Sequence, residues 1–163
     1  MWATDSCTIR FFSSAPLEDI EAINDDAKSL INPLKSEIGV AVMIRGFRFK
    51  KALMQEHFNE NYMESGKFPK ATFKGQINEP VDFGKNSTID MTATGTLEIH
   101  GIKKETTLKG KMEIVNGKII LNSKFKVKLA GYDIEIPSIV SKNIAEEVEV
   151  FFYAEYRMKV TGK

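Results

Sequence analysis

The sequence predicts an all-β protein in which about eight long antiparallel strands close into a barrel. Four long segments in the second half of the chain alternate apolar and polar residues, which is the pattern of a strand with one buried face. Between two of these segments stands Asn116–Gly117, a pair that tolerates the positive φ angles of a tight hairpin turn. Four such strands form a meander, and closure of the sheet would remove its unpaired edges.

Residues 88–100 form the clearest predicted strand, and a turn is predicted at residues 101–104. Two strands then flank Asn116–Gly117, and a final strand is predicted at residues 146–160. On each strand every second residue is expected to point inward. The inward residues with large apolar side chains include Ile89, Met91, Leu97, Ile99, Leu108, Met112, Ile114, Ile119, Leu121, Phe125, Val127, Leu129, Val148, Val150, Phe152, Tyr156, Met158 and Val160.

The first half of the chain is less regular. Strands are predicted at residues 8–14, 37–49 and 70–78, and the apolar phase of the second one shifts by one residue at Gly46. A bulge or kink at that glycine would absorb the extra residue. Residues 17–26 fit either a helical turn or a strand that pairs near residues 27–31.

Residues 51–62 predict one amphipathic helix. Leu53, Met54, His57, Phe58 and Tyr62 follow helical spacing over one broad face. That face must cover apolar surface, and the outer walls of the predicted barrel are polar. The helix is therefore expected to dock at a barrel mouth and to control entry.

Small residues occupy several inward positions near the strand centres: Ala71, Gly75, Ala93, Gly95, Gly110 and Ala154. They either leave an apolar lumen for a ligand or only relieve crowding where strands bend. If the lumen exists, the predicted ligand-binding residues are Leu53, Phe58, Phe73, Ile77, Met91, Ala93, Leu97, Leu108, Met112, Leu121, Phe125, Phe152 and Tyr156.

Composition excludes several classes of protein. The formal net charge is +1, from 23 basic and 22 acidic residues, so no field favours a nucleic-acid partner. Cys7 is the only cysteine, which rules out an intrachain disulfide and a multi-cysteine metal site. No apolar run approaches the ~20 residues of a membrane-spanning helix, and no secretory signal begins the chain. The protein is expected either to be cytoplasmic or to have lost a signal.

No catalytic motif, metal site or cofactor site is predicted. The two histidines lack a second ligand at metal-binding spacing. His57, on the apolar face of the helix, is interpreted as a structural residue with its hydrogen bonds satisfied, and His100 as a solvated residue at a strand end. Lysine rows at positions 109 and 111, and at 124, 126 and 128, could attract an anionic head group. Such rows also protect sheets from aggregation.

Two blocks of sequence carry a family resemblance. The first reads EHFNENYM at residues 56–63 and KFPKATFKG at residues 67–75, and the second reads TGTLEIHGIKKETTL at residues 94–108. In combination and at this separation they resemble the YceI-like family of lipocalin-like, polyisoprenoid-binding proteins. The similarity in the order of elements spans about residues 38–160.

The resemblance implies a lipocalin-like, eight-stranded barrel with a helix near one mouth, here a single domain over residues 1–163. It implies non-catalytic binding, transport or storage of a long apolar isoprenoid or similar lipid by a periplasmic or secreted bacterial protein. A monomer or a homodimer is expected. The alternative is an accessory or stress-related scaffold that binds partners through its loops and has no physiological lipid.

Overall fold

A computed structural model of the chain describes residues 1–13, 20–134 and 147–158. The described part is built mostly from strands, with one short α-helix. The elements are β1 (Trp2–Ser13), β2 (Ile20–Asn24), β3 (Lys28–Asn32), β4 (Glu37–Met43), β5 (Arg48–Phe49), α1 (Ala52–His57), β6 (Lys70–Ile77), β7 (Ser87–Ile99), β8 (Ile102–Val115), β9 (Lys118–Lys128) and β10 (Glu147–Met158).

The sheet closes into the predicted antiparallel barrel. Consecutive strands pair from β6 through β10, β6 also pairs with β4, and β4 pairs with β3. β3 then pairs with β1, and β1 pairs with β10, which completes a ring of eight strands. The eight-stranded barrel and its single short helix are confirmed.

At two places in the ring, two short strands follow one another where a single long strand would otherwise run. β2 and β3 pair with consecutive parts of β1, while β5 pairs with β2 and β4 pairs with β3. The kink predicted at Gly46 is a short 3-10 turn, Ile44–Gly46, between β4 and β5. Beside it, the buried Asn24 donates Nδ2–H to the Met43 carbonyl at 2.9 Å. A Cβ on Gly46 would lie 2.6 Å from that nitrogen, so the site needs glycine.

Several predicted boundaries move. β1 begins at Trp2 rather than at residue 8. Residues 20–24 of the ambiguous segment form a strand, β2, but it pairs with β1 and β5 and not near residues 27–31. The predicted helix consists of α1 and one following turn of π-helix, Phe58–Tyr62. The turn predicted at residues 101–104 is wrong. The observed turn consists of His100 and Gly101, with φ of 54° and 74°, so β8 begins earlier than expected. Residues 14–19, 146, 159 and 160 of the predicted elements lie outside the described residues.

One end of the barrel is solidly filled. This end, called here the base, is where β1 begins and β10 ends. Its side chains are at most 3% exposed: Trp2, Ile31, Ile77, Met112, Ile114, Ile119 and Tyr156. Interior space is therefore left to the centre and to the opposite end, where α1 lies.

The inward glycines relieve crowding between neighbouring strands more than they leave space for a ligand. Gly75 and Gly95 face each other across β6 and β7, and a Cβ on Gly95 would lie 1.9 Å from the Lys74 carbonyl oxygen. A Cβ on Gly110 would lie 2.8 Å from the carbonyl oxygen of Asn122. These glycines let neighbouring backbones approach closely. Ala71 and Ala93, by contrast, border interior space.

Candidate functional site

Two apolar chambers, each of about 150 Å³, lie in the barrel interior. The central chamber lies above the filled base, and the mouth chamber lies beneath α1. They are adjacent, because they share the wall residues Val42, Ala71, Ile99, Val127 and Val150. An apolar cavity of about 150 Å³ is large enough to hold a benzene-sized group.

The central chamber contains most of the predicted ligand-binding residues. Its wall is apolar except for Thr72, Lys109 and Ser123. Eight predicted residues line it: Phe73, Met91, Ala93, Leu97, Leu108, Leu121, Phe125 and Phe152. The alternation of β6 to β10 places these side chains inward, and the barrel then brings them together.

The mouth chamber is closed by aromatic side chains. Phe11, Phe47, Phe49 and Phe58 form a cluster with ring centroids 5.0–5.8 Å apart. Phe58 belongs to the π turn that follows α1, and Met54 and Tyr62 line the chamber beside it. The helix is tied to β5, because the Phe49 N–H donates to Oε1 of Gln55 at 3.0 Å.

Four predicted residues do not border either chamber. Ile77, Met112 and Tyr156 point inward as expected but lie in the base and line neither chamber. Leu53 is 65% exposed, because the apolar face of the helix is narrower than its sequence indicates. The structure therefore moves these four away from the candidate site.

Sequence reasoning missed much of the wall formed by β1, β4 and the segment that leads into β5. Ile9, Ile38 and Val40 line the central chamber, while Phe47 and Phe49 line the mouth chamber. A usable signal existed in β4, since Ile38, Val40 and Val42 alternate regularly before the kink at Gly46.

The interpretation of His100 as a solvated residue is wrong, while His57 has a hydrogen-bond partner as expected but lies at the surface. His100 is only 8% exposed, with Nδ1 3.0 Å from the Tyr132 carbonyl oxygen and Nε2 2.8 Å from Oε1 of Glu64. The Tyr132 carbonyl can only accept, so Nδ1 of His100 donates in that contact. His57 is exposed and bonds to Asn61. The tight turn at His100–Gly101 rotates the His100 ring inward, which residue spacing does not reveal.

The Cys7 thiol is a further buried titratable group in the described part of the chain. Burial raises the pKa of the Cys7 thiol to about 12, and Cys7 lines neither chamber. Within residues 1–13, 20–134 and 147–158, no three His, Cys, Asp or Glu side chains cluster closely enough to hold a metal ion. None of the helices in these ranges is both long enough and apolar enough to cross a membrane. The arrangement can enclose an apolar group.

Comparison with solved structures finds the same barrel elsewhere. A polyisoprenoid-binding domain from Saccharophagus degradans, implicated in plant cell wall breakdown, superposes with a TM-score of 0.79 at 17% identity, covering 97% of this chain and 98% of that one. BcnA of Burkholderia cenocepacia gives a TM-score of 0.76 at 15% identity, covering 91% and 95%. A YceI protein of Campylobacter jejuni gives 0.66 at 17% identity, covering 83% and 82%. No curated protein matches the sequence.

The sequence itself matches one protein family. The match to the YceI-like domain runs over residues 17–156, which is most of the 163 residues of the chain. It includes both blocks on which the resemblance rests, and the observed fold agrees with it. The chain belongs to the YceI-like domain family.

Proposed function

We propose that this protein binds a long apolar lipid of the polyisoprenoid type inside its barrel, and that it carries or stores this lipid without transforming it. The observation that carries the proposal is the pair of adjacent apolar chambers that run from the filled base to the helix. A chain that extends through both would meet apolar side chains along its whole length.

The energetics of such binding need no specific polar anchor. Burial of apolar surface contributes about 25 cal/mol per Å², or about 0.8 kcal/mol for each buried methylene. The proposed contacts are the predicted residues that border the chambers: Phe58, Phe73, Met91, Ala93, Leu97, Leu108, Leu121, Phe125 and Phe152. The similarity to the polyisoprenoid-binding domain of S. degradans supports this class of ligand.

Native mass spectrometry of the protein purified from a bacterial host tests the proposal. We expect an added mass that organic extraction removes and whose fragments show isoprene repeats. Protein that arrives without added mass, and that takes up no polyprenol on incubation, would contradict the proposal. The same spectrum reports whether the protein is a monomer or a homodimer, and fractionation of the native host tests the proposed periplasmic location.

A further inference from the structure

A buried hydroxyl in the wall of the mouth chamber makes no hydrogen bond. It belongs to Ser13, the last residue of β1, which is 2% exposed and lines the chamber. Its Oγ has no hydrogen-bond partner in the part of the chain that the structure describes. Burial of a hydroxyl without a partner costs free energy, and such groups are uncommon in native proteins. The position of Ser13 therefore calls for an explanation.

The alternation of β1 turns the Ser13 side chain toward the barrel interior. Ile9, Phe11 and Ser13 occupy every second position of the strand and share its inward face. Ile9 lines the central chamber, whereas Phe11 and Ser13 line the mouth chamber. At a rise of about 3.3 Å per residue, Ser13 lies about 13 Å along the strand from Ile9. The hydroxyl is thus at the end of β1 opposite to the base.

The wall around Ser13 offers its hydroxyl little to bond to. Ile20, the cross-strand partner of Ser13 on β2, lines the same chamber and is apolar. Tyr62 carries the other polar side chain that lines the chamber among the described residues, and it is only half-buried. An ordered water needs about two to four polar partners, so a water on Ser13 would be poorly held. The partner that fits is a polar atom carried by an otherwise apolar ligand.

Other serines of the interior have their hydroxyls engaged. Ser123 lines the central chamber and donates to the Lys109 carbonyl oxygen at 2.6 Å. Ser29, in the base, lies 2.6 Å from the phenol oxygen of Tyr156. Of these three serines, Ser13 is the one whose hydroxyl is available to a ligand.

We infer that the Ser13 hydroxyl binds the polar end of the lipid, and that this end is a neutral alcohol or carbonyl whose apolar chain points toward the base. The inference rests on the proposed function and names the class of lipid. A hydroxyl donates to a carbonyl and both donates to and accepts from an alcohol. A buried phosphate would need cationic partners, and no lysine or arginine among the described residues lines this chamber. Apolar burial still supplies most of the affinity, and the hydrogen bond selects the end group.

Displacement of an apolar fluorophore by farnesol, by the hydrocarbon farnesene and by farnesyl diphosphate tests the inference. We expect Ser13→Ala to bind farnesol at least about fivefold more weakly than the wild type does, which is the effect of one net hydrogen bond. Farnesene has no oxygen, so Ser13→Ala should bind it at least as well as the wild type. The wild type should bind the diphosphate more weakly than farnesol, because burial of the charge is costly.

The stability of the ligand-free protein gives a second measurement. Ser13→Ala removes a buried hydroxyl that has no partner, so its urea midpoint should lie above that of the wild type. Ser29→Ala is the matched control, because it removes a buried hydroxyl that is bonded. Its urea midpoint should fall, and its preference for farnesol over farnesene should not change. Ser13→Thr keeps the hydroxyl and should keep that preference.

Three results would overturn the inference while farnesol and farnesene still displace the fluorophore, so that the proposed function stands. The first is undiminished farnesol binding by Ser13→Ala. The second is a lower urea midpoint for Ser13→Ala, since the hydroxyl would then be bonded within the fold. The third is tighter binding of the diphosphate than of farnesol by the wild type. If no farnesyl compound displaces the fluorophore, the proposed function fails and the inference fails with it.

Discussion

The phenol hydroxyl of Tyr156 donates a hydrogen bond to Oγ of Ser29 at 2.6 Å, across the filled base of the barrel. The direction follows from the second contact of Ser29, whose own hydroxyl donates to the Gly39 carbonyl oxygen at 2.9 Å. Both side chains are fully buried, and burial raises the pKa of Tyr156. The bond therefore links β3, β4 and β10 where no ligand reaches.

Tyr156→Phe is expected to lower the free energy of unfolding by about 1 kcal/mol, the usual net value of one hydrogen bond. Binding of an apolar fluorophore should be unchanged, because Tyr156 borders neither chamber. Urea midpoints and fluorophore titrations measure the two effects. A clear loss of fluorophore affinity in the folded variant would show that Tyr156 belongs to the binding site.

Ala93→Phe is expected to fill most of the central chamber. Its side chain borders that chamber directly, so uptake of the fluorophore should be abolished at a stability cost of about 1–3 kcal/mol. Circular dichroism should still show a β-sheet. Thr96→Phe, on the outer face of the same strand, is the control and should bind normally. Normal binding by folded Ala93→Phe would place the ligand elsewhere.

Phe58→Ala is expected to speed the release of a bound lipid. Phe58 stacks on Phe11 and packs against Phe47 and Phe49 over the mouth chamber. Because it is only half-buried, the stability loss should stay below the ~3–5 kcal/mol of a core phenylalanine. Stopped-flow transfer of lipid to vesicles measures release. Leu53→Ala, on the exposed side of the helix, should leave release unaltered. A large stability loss with unchanged release would make α1 a fixed plug.

His100→Asn is expected to destabilise the protein by about 1–3 kcal/mol, since it leaves the buried Tyr132 carbonyl without its donor. Asparagine tolerates the φ of 54° at this position, so backbone strain does not confuse the result. His57→Asn is the matched control and should change stability by less than about 0.5 kcal/mol. Equal urea midpoints for the two variants would contradict a structural role for His100.

Cys7 is expected to resist thiol reagents at pH 8 until the protein unfolds, because burial raises its pKa from 9.0 to about 12. Between those values the folded thiol keeps a proton that the unfolded thiol releases. Stability should therefore fall as the pH rises from 9 to 12, by at most about 1.4 kcal/mol per pH unit from this group. Cys7→Ala should lack that contribution. If the free energy of unfolding of the wild type and of Cys7→Ala changed in parallel between pH 9 and 12, this contribution of Cys7 would be contradicted.

The sequence by itself determined the strands, because alternation is a local property with a period of two residues. From residue 88 to residue 128, side-chain parity predicts which face each residue takes, and Asn116–Gly117 predicts its hairpin. The apolar shift at Gly46 likewise marks the interruption between β4 and β5. The two motif blocks were enough to predict the family.

Only the tertiary structure decided which inward residues border space. Met91 and Met112 are the same residue type at inward positions of neighbouring strands, yet Met91 lines the central chamber and Met112 fills the base. The register between strands sets the height of each side chain in the barrel, and no local pattern encodes it. The same holds for the point at which β8 and β9 stop pairing, at Gly110 and Ser123. Contacts between distant parts of the chain decide both.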